Sequence, residues 1–302
     1  MFLMLLAASC IRAMIPDHVT IAARDCNTAA VAEWLAAHPQ SVNDVDLHGA
    51  SLLLQCVEED RFDGMASDQD DQLELLCYLL VQGADPNRIC DLAGEDQGTM
   101  TPLYAASGGN NFPHTPQIVA RLLRAGANPN LKVDAPTSDP VAPLATAIEN
   151  LLAVSNGSWQ LPVVAYLLRY GASLDKCAGD RSAEDVIANE EREWTDMAEH
   201  DVYFQAAKTL IHGVRAAGSW KKYCRARAPH REILALRSLA MRGYITPYQK
   251  RRTRATDWKA IVAFVARLGD NGIVWNILSF WRDADDVEAI TLDDGDVVRV
   301  YD

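Results

Sequence analysis

The 302-residue chain has no uninterrupted apolar run near the roughly 20 residues that cross a bilayer, which argues against an integral membrane protein. It is poor in aromatics, at 7%, yet 49% of its residues are hydrophobic and 23% charged, the balance of a soluble chain with a sizeable core. The seven cysteines (10, 26, 56, 77, 90, 177, 224) are scattered, odd in number and lack any Cys-x-x-Cys spacing. That excludes a disulfide framework and a zinc knuckle and predicts buried, reduced thiols of an intracellular protein. Enzyme signatures are missing too: no phosphate loop, no dinucleotide fingerprint, no Gly-x-Ser-x-Gly, no His-Glu-x-x-His and no kinase set. Asp68-Gln-Asp70-Asp71 is half a calcium loop without the glycine at the sixth place or the glutamate at the twelfth. Histidines 18, 38, 48, 114, 200, 212 and 230 have no recurring partner at metal-ligand spacing. The expectation is a chain without catalytic residues, metal or cofactor.

Acid outweighs base by 13 charges, unevenly. Residues 1–211 hold 12 Lys+Arg against 30 Asp+Glu, a net −18. Residues 212–260 reverse the sign, with 13 Lys+Arg against Glu232 and Asp257, and residues 261–302 return to 3 against 9. The sign change predicts a domain boundary near 213. Phosphate backbones need clustered cations, so the acidic part is a poor match for nucleic acid and predicts a partner protein with a basic surface.

One phrase occurs three times: Leu79-Leu80-Val-Gln-Gly83-Ala84-Asp85-Pro86-Asn87, Leu122-Leu123-Arg-Ala-Gly126-Ala127-Asn128-Pro129-Asn130 and Leu167-Leu168-Arg-Tyr-Gly171-Ala172-Ser173-Leu174-Asp175. Each reads as a helix end. The leucines close an apolar stripe, glycine supplies the left-handed residue that stops the helix, and Asn or Asp opens a turn by bonding its own backbone. Weaker copies are Trp34-Leu35 before Pro39 and Asn43, and Leu210-Ile211 before Gly213. The apolar pairs therefore start at 34, 79, 122, 167 and 210, a period near 44 that predicts a stack of similar units. Between the copies, Ser51, Thr101, Ala142 and Ser182 each precede a first-turn residue, as in Thr101-Pro102-Leu103-Tyr104-Ala105-Ala106. A hydroxyl there satisfies free backbone N–H groups, and proline fits where no N–H is needed.

These phrases resemble the ankyrin-repeat family over about residues 19–213. The resemblance implies a mainly α solenoid of about five helix-turn-helix units with β-hairpin loops, and a non-catalytic scaffold that binds a partner protein. A period of 44 exceeds the 33 residues of an ankyrin unit. The extra residues are placed in polar insertions at 58–70, 107–116 and 151–161 and in hairpins at 89–97 and 132–139. Asn189–Trp194 is expected to extend the fifth unit's first helix, with Trp194 as a packing residue. The expected partner-binding residues are Arg88 at a hairpin tip and Phe112, His114 and Trp159 in the insertions.

The ends read differently. Met1–Cys10 is apolar and ends in small residues like a signal peptide, but it has no basic start, so 1–18 is read as an N-terminal capping helix. Residues 214–255 read as a basic helical cap and linker, with Lys250, Arg251, Arg252 and Arg254 as a candidate nuclear-import cluster in an otherwise cytoplasmic protein. Within 256–302, Ile273, Trp275, Ile277, Leu278 and Trp281 partly resemble the opening helix of an F-box. That implies an alternative role as a substrate adaptor docking on a ubiquitin-ligase component. Two alternating runs around Asp294-Gly295 predict a final β-hairpin.

Overall fold

A computed structural model describes residues 14–58, 69–92, 98–108, 114–134, 139–153, 159–227, 287–291 and 297–301. They fall into two compact units, the first running through Ile211 and taking in Thr291–Val298, the second made of His212–Ile290 and Arg299–Asp302. The first is built from five helix pairs. These are α1 (Asp17–Arg24) with α2 (Thr28–Ala37), α3 (Leu52–Val57) with α4 (Gln69–Val81), α5 (Pro102–Gly108) with α6 (Thr115–Arg124), and α7 (Pro143–Ala153) with α8 (Gln160–Arg169). In the fifth, the first part of α11 (Val202–Ala217) meets α9 (Ala183–Glu193) through the Lys208–Glu191 ion pair, and a short α10 (Thr195–His200) lies between them in the chain. The leading helices α1, α3, α5, α7 and α9 pack side by side in that order, and α2, α4, α6 and α8 form a second row.

The local chemistry expected at each helix start is present. The Ser51 and Thr101 hydroxyls accept hydrogen bonds from the backbone N–H groups of Leu54 and Tyr104, both at 3.2 Å. Ser182 does the same for Asp185, whose carboxylate accepts the Ser182 N–H in return, a complete capping box. At the helix ends, Gly83, Gly126 and Gly171 have φ of 91°, 95° and 90°, the left-handed region that stops a helix. Leu79, Leu122 and Leu167 just before them are fully buried, together with Leu52, Leu75, Leu103, Leu144 and Ile148. Full burial of such a side chain contributes about 1.5–3 kcal/mol, so the paired helices are held by these stripes more than by their hydrogen bonds.

Two helix ends differ from expectation. In the first unit Leu35 is buried while Trp34 is half-exposed and stacks on the His38 ring, so the apolar repeat starts at 35. Gly213 does not end a helix. α11 runs on to Ala217 and stops at Gly218, with φ 78°. A Cβ at Gly213 would strike the Tyr223 ring, carried by the following helix α12 (Trp220–Arg227).

Short hairpins join the successive helix pairs. In the first, residues 45 and 51 bridge, and Asp46 N–H donates to the Ala50 carbonyl at 2.9 Å. In the second, β1 (Cys90–Asp91) runs antiparallel to β2 (Thr99–Met100). Val133 pairs with Val141 in the third and Ala178 with Arg181 in the fourth. Near the C-terminus β3 (Val287–Thr291) pairs with β4 (Val297–Tyr301), as the Asp-Gly signal predicts. Of the cysteines, 26, 56, 77, 90, 177 and 224 are free thiols; Cys77 and Cys224 are half-exposed, so the expectation of burial fails for those two.

Candidate partner interface

From the second hairpin to the fourth the edge is continuous, because each bonds to the next. Thr99 N–H donates to the Asp134 carbonyl at 2.9 Å, Ala142 N–H to the Cys177 carbonyl at 2.7 Å, and Gly179 N–H to the Pro140 carbonyl at 2.8 Å. Lys132 Nζ also donates to the Gly179 carbonyl at 2.7 Å. The first hairpin lies so close to the second that a Cβ at Gly49, where φ is 83°, would collide with the Asp91 carbonyl oxygen.

A buried network sets the first hairpin. Asp46 accepts the His48 and Ala50 N–H groups on Oδ1, both at 2.9 Å, and Gln55 Nε2 on Oδ2 at 2.9 Å. Gln55 Oε1 in turn accepts Arg24 Nε at 2.7 Å, tying α1 to α3. With its backbone fixed in this way, the hairpin presents Leu47 outward, 60% exposed. On the neighbouring hairpin Ile89 is 48% exposed beside half-buried Arg88. Burial raises the pKa of the adjacent Cys90 thiol; hydrogen bonds to Ser51 and the Arg88 charge oppose that rise, and the Asp46 charge adds to it. Exposed aspartates 85, 91, 134, 139, 175 and 180 run along the same edge. Asp180 pairs with Lys176 at 3.2 Å, both largely in solvent, where such a pair contributes at most about 1 kcal/mol.

The expected site residues separate. Arg88 lies at the hairpin edge. Trp159 precedes α8 and is half-buried. His114 is not a surface residue: it precedes α6, is 6% exposed and bonds through Nε2 to Gln72 Oε1 at 2.5 Å. Gln72 also donates from Nε2 to the Cys56 carbonyl at 2.7 Å, so it links α3, α4 and the start of α6. Phe112, the cluster at 250–254 and the docking residues expected at 273–281 lie outside the described residues. Leu47 and Ile89 carry no sequence motif; the only signal is an isolated aliphatic in a turn. No group of three or more His, Cys, Asp or Glu able to hold a metal ion occurs among the described residues, and no helix there is long and apolar enough to cross a membrane.

Stacked helix pairs joined by edge hairpins define a repeat protein. The family model of the ankyrin repeat matches residues 100–134, from the second hairpin's outgoing strand through the third helix pair, so this segment reads as an ankyrin repeat. Among solved structures it is similar to EF0377, described as an ankyrin repeat protein, at 17% identity and a TM-score of 0.33, covering 60% of this chain and 94% of that one. No curated protein matches it. Ankyrin repeats generally mediate protein–protein interaction, and the family is generally non-catalytic.

Proposed function

We propose that this chain is a non-catalytic scaffold whose hairpin edge binds a partner protein with a basic surface. The observation that carries the reading is the exposure of two aliphatic tips, Leu47 and Ile89, on neighbouring hairpins within a row of exposed aspartates. Apolar anchors inside a polar rim are the usual anatomy of an interface. The aspartates steer a basic partner, Leu47 and Ile89 enter its apolar pockets, and Arg88 fixes the register.

The test is affinity capture with the full chain against Leu47→Ser/Ile89→Ser, with captured proteins identified by mass spectrometry and washed at 50 and 500 mM salt. A basic partner lost from the double variant and released at high salt supports the reading. A capture profile that neither the double variant nor salt changes would reject it.

A further inference from the structure

Away from the hairpin edge, the fifth helix pair contains an elbow that the scaffold reading does not use. α9 stops at Glu193, Trp194 leaves helical geometry at φ −118° and ψ 45°, and α10 restarts one residue later. Ala198 N–H bonds the Trp194 carbonyl at 2.8 Å and Asp201 N–H the Met197 carbonyl at 2.9 Å, so Trp194 and Met197 lie one turn apart on one face. Sequence alone points to Trp194 as a packing residue, since tryptophan is usually well buried. Instead Trp194 is 42% exposed and Met197 48%. Ala198 fills the inward position, and Phe204, Ala207, Leu210 and Ile211 on α11 are buried without the tryptophan.

The rim is mainly acidic. Glu193, Asp196 and Glu199 are all exposed, and among the described residues no ion pair reaches them. Glu191, one residue before, is the carboxylate held by Lys208, and Arg192 is the one exposed cation of 190–201. A flexible thioether beside a flat indole, ringed by carboxylates, suits a cationic segment with a large apolar side chain.

We propose that the Trp194–Met197 face is a second docking site, and that its occupant is a basic amphipathic segment of a partner protein. The partner's aliphatic anchors lie on the indole and the thioether, and its lysines and arginines meet Glu193, Asp196 and Glu199. The site is independent of Leu47 and Ile89, so one chain can hold two partners.

The test uses the full chain and a fluorescent 16-residue peptide of lysine and leucine at helical spacing, with a second peptide in which every leucine is glutamine. Expected are saturable binding of the first peptide, much weaker binding of the second, and an affinity loss of about 30-fold on Trp194→Ala, the size of one buried aromatic anchor. Glu193→Gln/Asp196→Asn/Glu199→Gln should flatten the salt dependence, and Val81→Ser, which removes an exposed aliphatic of α4, should change nothing. Circular dichroism checks that each variant is folded. Equal binding of both peptides, no binding at all, an unchanged affinity in Trp194→Ala, or an equal loss in Val81→Ser would each overturn the proposal. So would a dimer of the full chain that Trp194→Ala converts to monomer, because the occupant would then be a second copy.

Discussion

Asn87 clamps the turn of the following unit: its Nδ2 donates to the Gly126 carbonyl at 2.9 Å while its Oδ1 accepts the Asn128 N–H at 2.6 Å. The same two bonds join Asn43 to Gly83 and Asp85, and Asn130 to Gly171 and Ser173. Each clamp satisfies a carbonyl left open by a helix end and fixes the spacing of neighbouring units. Only an amide offers a donor and an acceptor from one planar group of this size.

Asn87→Ala removes both bonds and should cost about 1–3 kcal/mol at about 0.5–1.5 kcal/mol per bond. Asn87→Asp should not rescue it, since the carboxylate keeps the bond from Asn128 but sets a negative oxygen against the Gly126 carbonyl. Urea melts of both variants check this, and a fully stable Asp variant would contradict the clamp.

Much of this was legible because it is local. Asp85 and Asn128 accept the N–H two residues on, at Asn87 and Asn130, as their turns require, and the glycines and caps act within one helix turn. The asparagines that close the first two phrases, Asn87 and Asn130, are different. Their partners lie 39–43 residues away, a relation that appears only once the repeats are stacked. His114 was misleading for the same reason. Beside Pro113 in a polar stretch it reads as a loop residue, and its partner Gln72 lies 42 residues earlier. Trp194 erred in the opposite sense, because aromatic identity predicts burial and a helix break put it outside.

The glycines should sort into two classes. At Gly83 an added Cβ meets nothing within 4 Å, so Gly83→Ala carries only the left-handed penalty of about 1–2 kcal/mol. At Gly49 the same methyl strikes the Asp91 carbonyl, and the two hairpins must separate. Gly49→Ala is therefore expected at the upper end of the about 0.5–3 kcal/mol usual for single substitutions. Paired chemical melts decide it; equal losses would mean the hairpins do not touch.

The His114–Gln72 bond should show coupling. His114→Ala leaves Gln72 Oε1 buried without its partner, at a cost of about 1–3 kcal/mol. Replacing both with Leu removes donor and acceptor together. A double-mutant cycle of stability should give an interaction energy of about 0.5–3 kcal/mol, and strict additivity would show that the bond is not made.

Acid should stabilise this fold before it harms it. Burial raises the pKa of Glu149, on α7, above the ordinary 4.5, with the Arg181 charge opposing. Burial raises Glu190, on α9, as well, and the charges of Glu149 and Glu193 add to that, against a hydrogen bond from Asn189 and the Arg181 charge. A carboxyl with a raised folded pKa binds its proton more tightly in the folded chain than in the unfolded one. Its contribution to stability is complete below 4.5 and is lost as pH rises through the raised value. Asp185 acts oppositely: bonds from Ser182 hold its pKa below 3.8, and its contribution is lost only as pH falls through that lowered value. The melting temperature should therefore rise as pH falls from 7.5 toward about 5, before losses of the Asp185 kind begin. Relief of general repulsion in an acidic chain would give the same slope, so the deciding variants are Glu149→Gln and Glu190→Gln. Each should raise the melting temperature at pH 7.5 and flatten the slope, while exposed Glu199→Gln, which removes a charge without burial, should leave the slope in place. An identical slope in all three would assign the effect to net charge instead.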